Sequence, residues 1–129
     1  MALTLVVVTP ERKMVEAQTD SVEIPGELGY LGIPGHAPLI SLLKTGVLKY
    51  RDSRGDKSLA IAGGFLEVSN DIVSVLADLA EEPSEIDAAK AEKDRVQAEE
   101  QMKTASRETL DEIRARLELA QARLAIAGR

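Results

Sequence analysis

The chain has no cysteine and no tryptophan, a single histidine, and three aromatic residues in all, Tyr30, Tyr50 and Phe65. Without cysteine there are no disulfides, no thiol chemistry and no cysteine-ligated metal. The lone histidine, His36, has no second imidazole to share a transition metal, and no serine or carboxylate pattern marks a catalytic triad around it. It reads as a structural loop residue; no catalytic and no metal-ligating residue is assigned. With so few rings, the core has to be built from Val, Leu, Ile and Ala. No run approaches the ~20 apolar residues of a membrane-spanning helix. Ala2–Val8 is apolar but lacks a basic leader and runs into Thr9-Pro10, so it reads as a strand rather than a signal peptide. The expectation is a chain that is soluble or peripheral to a membrane assembly, with no direct insertion into the bilayer.

Clustered positive charge is also missing. The net charge of −6 argues against sequence-independent nucleic-acid binding, which needs grouped Lys and Arg. Residues 1–84 carry 7 basic and 12 acidic side chains, and residues 85–129 carry 9 and 10. The last stretch is the exception: Arg114, Arg116, Arg123 and Arg129 face Glu118 alone. Such a basic tip fits an acidic partner surface, and equally fits a solvated helix end where cations meet the helix dipole.

What is present falls into two parts that meet at Pro83. Before it, short apolar runs alternate with turn residues: Leu3–Val8, Met14–Ala17, Ser21–Ile24, Leu28–Ile33, Leu39–Leu43, Val47–Arg51, Ser58–Ala62, Phe65–Ser69 and Ile72–Leu76. Pro25-Gly26, Pro34-Gly35, Thr45-Gly46, Asp52–Asp56, Gly63-Gly64 and Asn70-Asp71 separate them. Many short strands at close spacing predict an antiparallel β-sandwich over residues 1–83. After Pro83 there is no Gly or Pro until Gly128, which predicts a helical hairpin over 84–129. Ser84 or Asp87 would cap a first helix running to about Thr104, and Ser106 a second running to Gly128. The short connection makes the helices antiparallel. The fold class is therefore α+β, mostly β.

The second helix carries Leu110, Ile113, Leu117, Ala120, Leu124 and Ala127 as a heptad seam, and a second stripe of Ala115, Leu119, Ala122 and Ile126. The first helix offers Ala91, Ala98 and Ala105 with Val96 and Met102. One stripe can be covered by that partner; the other needs the β domain or another protein.

Gly26, Gly29, Gly32 and Gly35 lie three apart. They match no phosphate-cradling pattern and read as a ribbon of tight turns or bulges close to another backbone. Three stretches then carry a family resemblance: Gly29-Tyr30-Leu31-Gly32-Ile33-Pro34-Gly35-His36-Ala37-Pro38-Leu39, Gly63-Gly64-Phe65-Leu66-Glu67-Val68, and Val73-Ser74-Val75-Leu76-Ala77-Asp78. In this order, after Leu5–Arg12 and before an Ala-rich hairpin, the chain resembles the epsilon subunit of F-type ATP synthases.

The resemblance implies a non-catalytic subunit of the central rotor that couples ring rotation to ATP synthesis. Its sandwich would clamp the gamma subunit and rest on the c-ring, with contacts at Glu27, Leu28, Gly29, Tyr30, Leu31 and His36. Its hairpin would either fold onto the sandwich or extend into the alpha and beta subunits and block ATP hydrolysis, using Arg114, Arg116 and Arg123. No cofactor is required, but some members hold ATP as a regulatory ligand through I-D-x-x-R-A and a later arginine. Here Ile86, Asp87 and Ala91 match, Lys90 replaces the arginine, and Arg123 would be the second-helix contact. Lys keeps the charge but not the planar fork that grips phosphate; Asp87 also reads simply as a helix cap. The implied location is peripheral, on the cytoplasmic face of a bacterial inner membrane. The competing reading is a free-standing β-sandwich adaptor that dimerises through a coiled-coil hairpin.

Overall fold

The computed structural model describes residues 3–26, the backbone of 29–32, and residues 38–127. Among these residues eight strands come first: β1 (Leu3–Val8), β2 (Lys13–Thr19), β3 (Ser21–Gly26), β4 (Gly29–Gly32), β5 (Leu39–Leu42), β6 (Gly46–Asp52), β7 (Gly55–Ser69) and β8 (Ile72–Glu81). A 3-10 turn at Pro83–Glu85 leads into two helices, α1 (Ala88–Met102) and α2 (Arg107–Ile126).

The pairing order is β2-β1-β8-β7-β6-β3-β4, with β5 also paired to β7. The long strands β7 and β8 hold one register from Ser69↔Ile72 to Ala60↔Glu81. Their buried residues nevertheless change parity along the way. On β7 the core takes Leu59 and Ile61, then Leu66 and Val68; on β8 it takes Val73, Val75 and Ala77, then Ala80. The switch falls at Gly63 and Gly64, whose φ values are +66° and +104°. A Cβ on Gly64 would lie 2.0 Å from the Leu76 carbonyl oxygen, so only glycine lets the two strands pass this closely. Beyond the bend β7 pairs with β5, and before it with β6. One continuous sheet thus folds into two layers, β2-β1-β8-β7-β5 and β8-β7-β6-β3-β4.

This corrects one expectation. Ser58–Ala62 and Phe65–Ser69 are one strand, because the glycine pair bends the chain without breaking the ladder. A second correction is that β1 pairs with β8 in parallel, so the sandwich is not wholly antiparallel. Asn70 and Asp71, with φ of +53° and +62°, close the β7–β8 hairpin as a two-residue turn of the mirror-image type that strand twist favours.

Between the layers lies an aliphatic core that includes Leu5, Val7, Ile24, Leu48, Leu59, Ile61, Leu66, Val68, Val73 and Val75. Thr19, the buried polar side chain there, donates to the Leu3 carbonyl at 3.0 Å.

α1 begins where Asp87 accepts the Lys90 N–H at 3.1 Å; Ser84 lies in the preceding 3-10 turn instead. Ser106 occupies the α2 N-cap position, but contrary to expectation its side chain makes no capping hydrogen bond; its hydroxyl lies 3.1 Å from the Thr109 hydroxyl instead. The four residues between the helices turn the chain back, and α2 packs along α1. Ala91 and Ala98 of α1, and Ile113 and Ala120 of α2, are buried. Val96 is 48% exposed and plays no part in that seam. Of the second stripe, Ala122 and Ile126 are buried against Val47 and Ala60, with Ile86 beside them. Leu119 is half-buried and Ala115 is exposed, so the sandwich covers only the C-terminal half of that stripe.

Candidate functional site: two outer faces of the sandwich

Folding one sheet into two layers leaves two outer faces, and the sequence treats them differently. On the β6–β7–β8 layer, Val47 pairs with Ala60 and Ala60 with Glu81. Both apolar side chains lie under α2. Beside them Glu81 receives two hydrogen bonds from Arg123 of α2, from Nε at 2.6 Å and from an Nη at 3.0 Å. Both side chains are about three-quarters buried, with 22% and 23% of their surface exposed. The planar guanidinium fork meets both carboxylate oxygens, a geometry lysine cannot supply.

Glu85 closes the same corner from the other side. It accepts the Glu82 backbone N–H at 3.0 Å and pairs with Arg12 of the β1–β2 connection. Those two donors, the backbone N–H first, hold its carboxyl below the usual glutamate range. Between these pairs lies a cavity of about 160 Å³ lined by Glu81, Glu85, Ile86, Asp87, Lys90, Ala91, Asp94 and Arg123.

Among the described residues, the opposite face carries no helix. Leu42 pairs with Phe65, Phe65 with Leu76, and Leu76 with Val8. Because Leu66 and Val75 point into the core, this row points out. Leu42, Phe65 and Leu76 are 56%, 44% and 39% exposed; Ile40 and Ile72 flank them at 75% and 44%. Alternation ordinarily places polar residues on an exposed face. A contiguous apolar row across four strands is the mark of a contact surface.

All five residues assigned to nucleotide binding, Ile86, Asp87, Lys90, Ala91 and Arg123, line the one small cavity. The structure does not group Arg114, Arg116 and Arg123. Arg123 is held by Glu81, Arg116 pairs with Gln101 of α1, and Arg114 lies 3.7 Å from Asp111 on its own helix. Of the ring-contact residues, Gly29, Tyr30 and Leu31 belong to β4 and pair by backbone with Gly26, Pro25 and Ile24. Glu27, Leu28 and His36 lie outside the described residues. Among the described residues no group of three or more His, Asp or Glu side chains is arranged to hold a metal, and no helix is long and apolar enough to cross a membrane.

Sequence reasoning missed the bare apolar row and the Glu81 and Arg12 partners. The row had a signal, since Phe65-Leu66 and Val75-Leu76 put apolar side chains on both faces of their strands. The ion pairs join residues 42 and 73 positions apart and had none.

These features define a class: a folded-sheet β-sandwich with a helical hairpin laid on one outer face and a bare apolar face opposite. The chain belongs to the ATP synthase delta/epsilon chain family: residues 2–83 match the model of that family's beta-sandwich domain. It is 50% identical over 86 residues to the ATP synthase epsilon chain of Solibacter usitatus, covering 66% of this chain and 64% of that one. It is 48% identical over 88 residues to the ATP synthase epsilon chain of Moorella thermoacetica, covering 67% and 66%. The matches thus span just under two thirds of those relatives. A chain in the Euglena gracilis mitochondrial ATP synthase, from a structure of its OSCP, F1 and c-ring, shares the fold with a TM-score of 0.83. That alignment has 20% identity and covers 96% of this chain and 80% of the other.

Proposed function

We propose that this chain is a non-catalytic rotor subunit of a proton-translocating F-type ATP synthase, peripheral on the cytoplasmic face of a bacterial membrane. In this reading residues 1–83 form the unit that joins the gamma subunit and c-ring, and residues 84–129 form a regulatory hairpin. The observation that carries the reading is the asymmetry of the two outer faces. One is apolar, uncovered and broad enough to seat a partner across four strands; it is the face offered to gamma. The other is occupied by the hairpin through a small seam, Ala122 and Ile126 on Val47 and Ala60. A seam this small holds the hairpin down weakly enough to be exchanged for another surface. Released, α2 would present Arg114, Arg116 and Arg123 to acidic segments of the alpha and beta subunits and hinder ATP hydrolysis. The β4 segment with the residues on either side of it would meet the ring through Glu27, Leu28, Gly29, Tyr30, Leu31 and His36.

The test is ATP hydrolysis by an ATP synthase depleted of its epsilon chain, with the full-length chain or residues 1–84 added back. The main core is drawn wholly from residues between Leu3 and Ala80, so the shorter chain keeps it. Binding by both and inhibition by the full-length chain alone is expected. Binding by neither overturns the reading, and a stable homodimer on sedimentation favours the free-standing adaptor.

A second reading, ATP as a regulatory ligand of the docked hairpin, is favoured by the convergence of Ile86, Asp87, Lys90, Ala91 and Arg123 on one cavity. Against it, the cavity is smaller than the roughly 300–1,000 Å³ of ordinary ligand sites. Four carboxylates face two cations there, and Arg123 is already engaged. A nucleotide would have to displace Glu81. Calorimetry with millimolar Mg·ATP decides this: no heat of binding removes ATP from the account.

A further inference from the structure

The bare apolar face ends at β5, which is bonded to β7 on one side. Among the described residues no strand lies on its other side. The ladder fixes which backbone groups point there. The Leu43 N–H donates to the Gly64 carbonyl at 3.0 Å, and in an antiparallel pair the bonded positions alternate along the strand. The register runs Leu42↔Phe65, Ser41↔Leu66, Ile40↔Glu67 and Leu39↔Val68, so Ser41 and Leu39 also bond to β7. Ile40 and Leu42 therefore turn their N–H and C=O groups outward. Among the described residues the one further bond at this edge is long, from the Ser41 hydroxyl to the Leu42 carbonyl at 3.4 Å. The same two residues expose apolar side chains, Ile40 to 75% and Leu42 to 56%. Folded chains blunt a free edge by keeping it short or by placing Lys, Pro or a bulge in it. Here the strand is short, but Pro38 and Lys44 stand outside it and its four residues are Leu-Ile-Ser-Leu.

We propose that the partner seated on this face also adds a strand to β5, bonding to the outward N–H and C=O groups of Ile40 and Leu42. This rests on the reading above that the bare face receives gamma, and states how that subunit is gripped. The occupant is an extended segment matching the four residues of β5. It has no proline where it must donate, and it sets apolar side chains beside Ile40 and Leu42. Burial of an apolar row is non-directional; the backbone bonds supply the direction and register that the row lacks. A second copy of this chain fits the edge but not the face. Two β5 edges paired with each other would lie in one continuous sheet, leaving the row from Leu42 through Phe65 and Leu76 to Val8 bare on both copies. Each copy also carries a net charge of −6, which opposes self-association. A subunit that adds the strand and overlies the row covers edge and face together.

Amide hydrogen exchange reads those backbone groups directly, on the full-length chain free and bound to an ATP synthase depleted of its epsilon chain. In the free chain the Ile40 and Leu42 amides should exchange about tenfold or more faster than those of Ser41 and Leu43, which are bonded to β7. On binding they should slow by about tenfold or more, as amides that gain a partner do. Ile40→Pro removes the outward N–H while leaving the β7 ladder intact. It should weaken binding about tenfold, the scale of a partner carbonyl left unpaired. Ile40→Val keeps the N–H and most of the side chain and should stay within about threefold. If the two amides remain fast in a chain that binds, or Ile40→Pro binds as tightly as the unaltered chain, strand addition is refuted and the side chains alone make the contact. Should Ile40→Pro fail to fold, exchange in the unaltered chain still decides. Protection of both amides already in the free chain also overturns the proposal: with a monomer on sedimentation the edge is filled from within the chain, and with a dimer by a second copy. Failure of the unaltered chain to bind at all strikes instead at the reading that this face receives gamma, a separate failure.

Discussion

Arg123 and Glu81, 42 residues apart, meet fork to carboxylate at 2.6 and 3.0 Å where α2 crosses the end of β8. The contact ties the last turns of the chain to the strand that precedes the linker, closing a loop around the whole hairpin. Both groups are mostly shielded, so their attraction is screened less than that of a surface pair.

A double-mutant cycle of Glu81→Gln and Arg123→Gln should show a coupling of about 1–3 kcal/mol, as for hydrogen bonds between charged groups. Native-state hydrogen exchange in the C-terminal half of α2 is the readout. Additive effects would mean that the pair does not hold the hairpin.

The glycine bend makes a sharp contrast with another positive-φ glycine. Gly64→Ala drives a Cβ to 2.0 Å from the Leu76 carbonyl oxygen; at Gly55, φ +119°, an added Cβ meets nothing within 4 Å. Gly55→Ala should therefore cost only backbone strain, about 1–2 kcal/mol. Gly64→Ala must also push β7 and β8 apart, and should cost more than about 3 kcal/mol or prevent folding. Urea denaturation followed by circular dichroism compares the two, and equal costs would refute the close-approach argument.

On the bare face, Leu42→Gln together with Phe65→Gln should change stability by less than about 1 kcal/mol, since both side chains are already substantially exposed. The same pair should weaken binding to an ATP synthase depleted of its epsilon chain by at least tenfold, the scale of losing central apolar anchors. Unchanged binding would move the partner surface elsewhere.

Acid should weaken the fold from its carboxylates. Glu85 is held low by the Glu82 N–H and Arg12, Asp52 chiefly by the Arg54 N–H, and Asp56 by Arg51. A carboxyl with a depressed folded pKa contributes stability that is fully present above its unfolded value, near 4, and is lost as pH falls through the folded value. The urea midpoint should be insensitive to these groups above about pH 5 and fall below about pH 4. Glu85→Gln should flatten part of that fall, and an unaltered profile would show that its two bonds contribute nothing to folding.

The strand pattern, the change from strands to helices near Pro83, the two helices with Asp87 as the cap of the first, and the family were legible in the residues themselves. Each rests on local signals: period-2 alternation, turn residues, caps, and short motifs read within one stretch of chain. The convergence of Ile86, Asp87, Lys90, Ala91 and Arg123 was anticipated only through the family resemblance. Tertiary structure alone decided the rest. Gly63-Gly64 looks like a turn in sequence, but the register of β7 against β8 makes it the fold line of a single sheet. That fold line exposes Phe65 and Leu76 on one face and covers Val47 and Ala60 on the other. Arg123 looked like a cation available to a phosphate or a partner until packing set it against Glu81. Which side of a strand meets solvent, and which distant carboxylate an arginine finds, depend on how layers stack, and no window of sequence contains both partners.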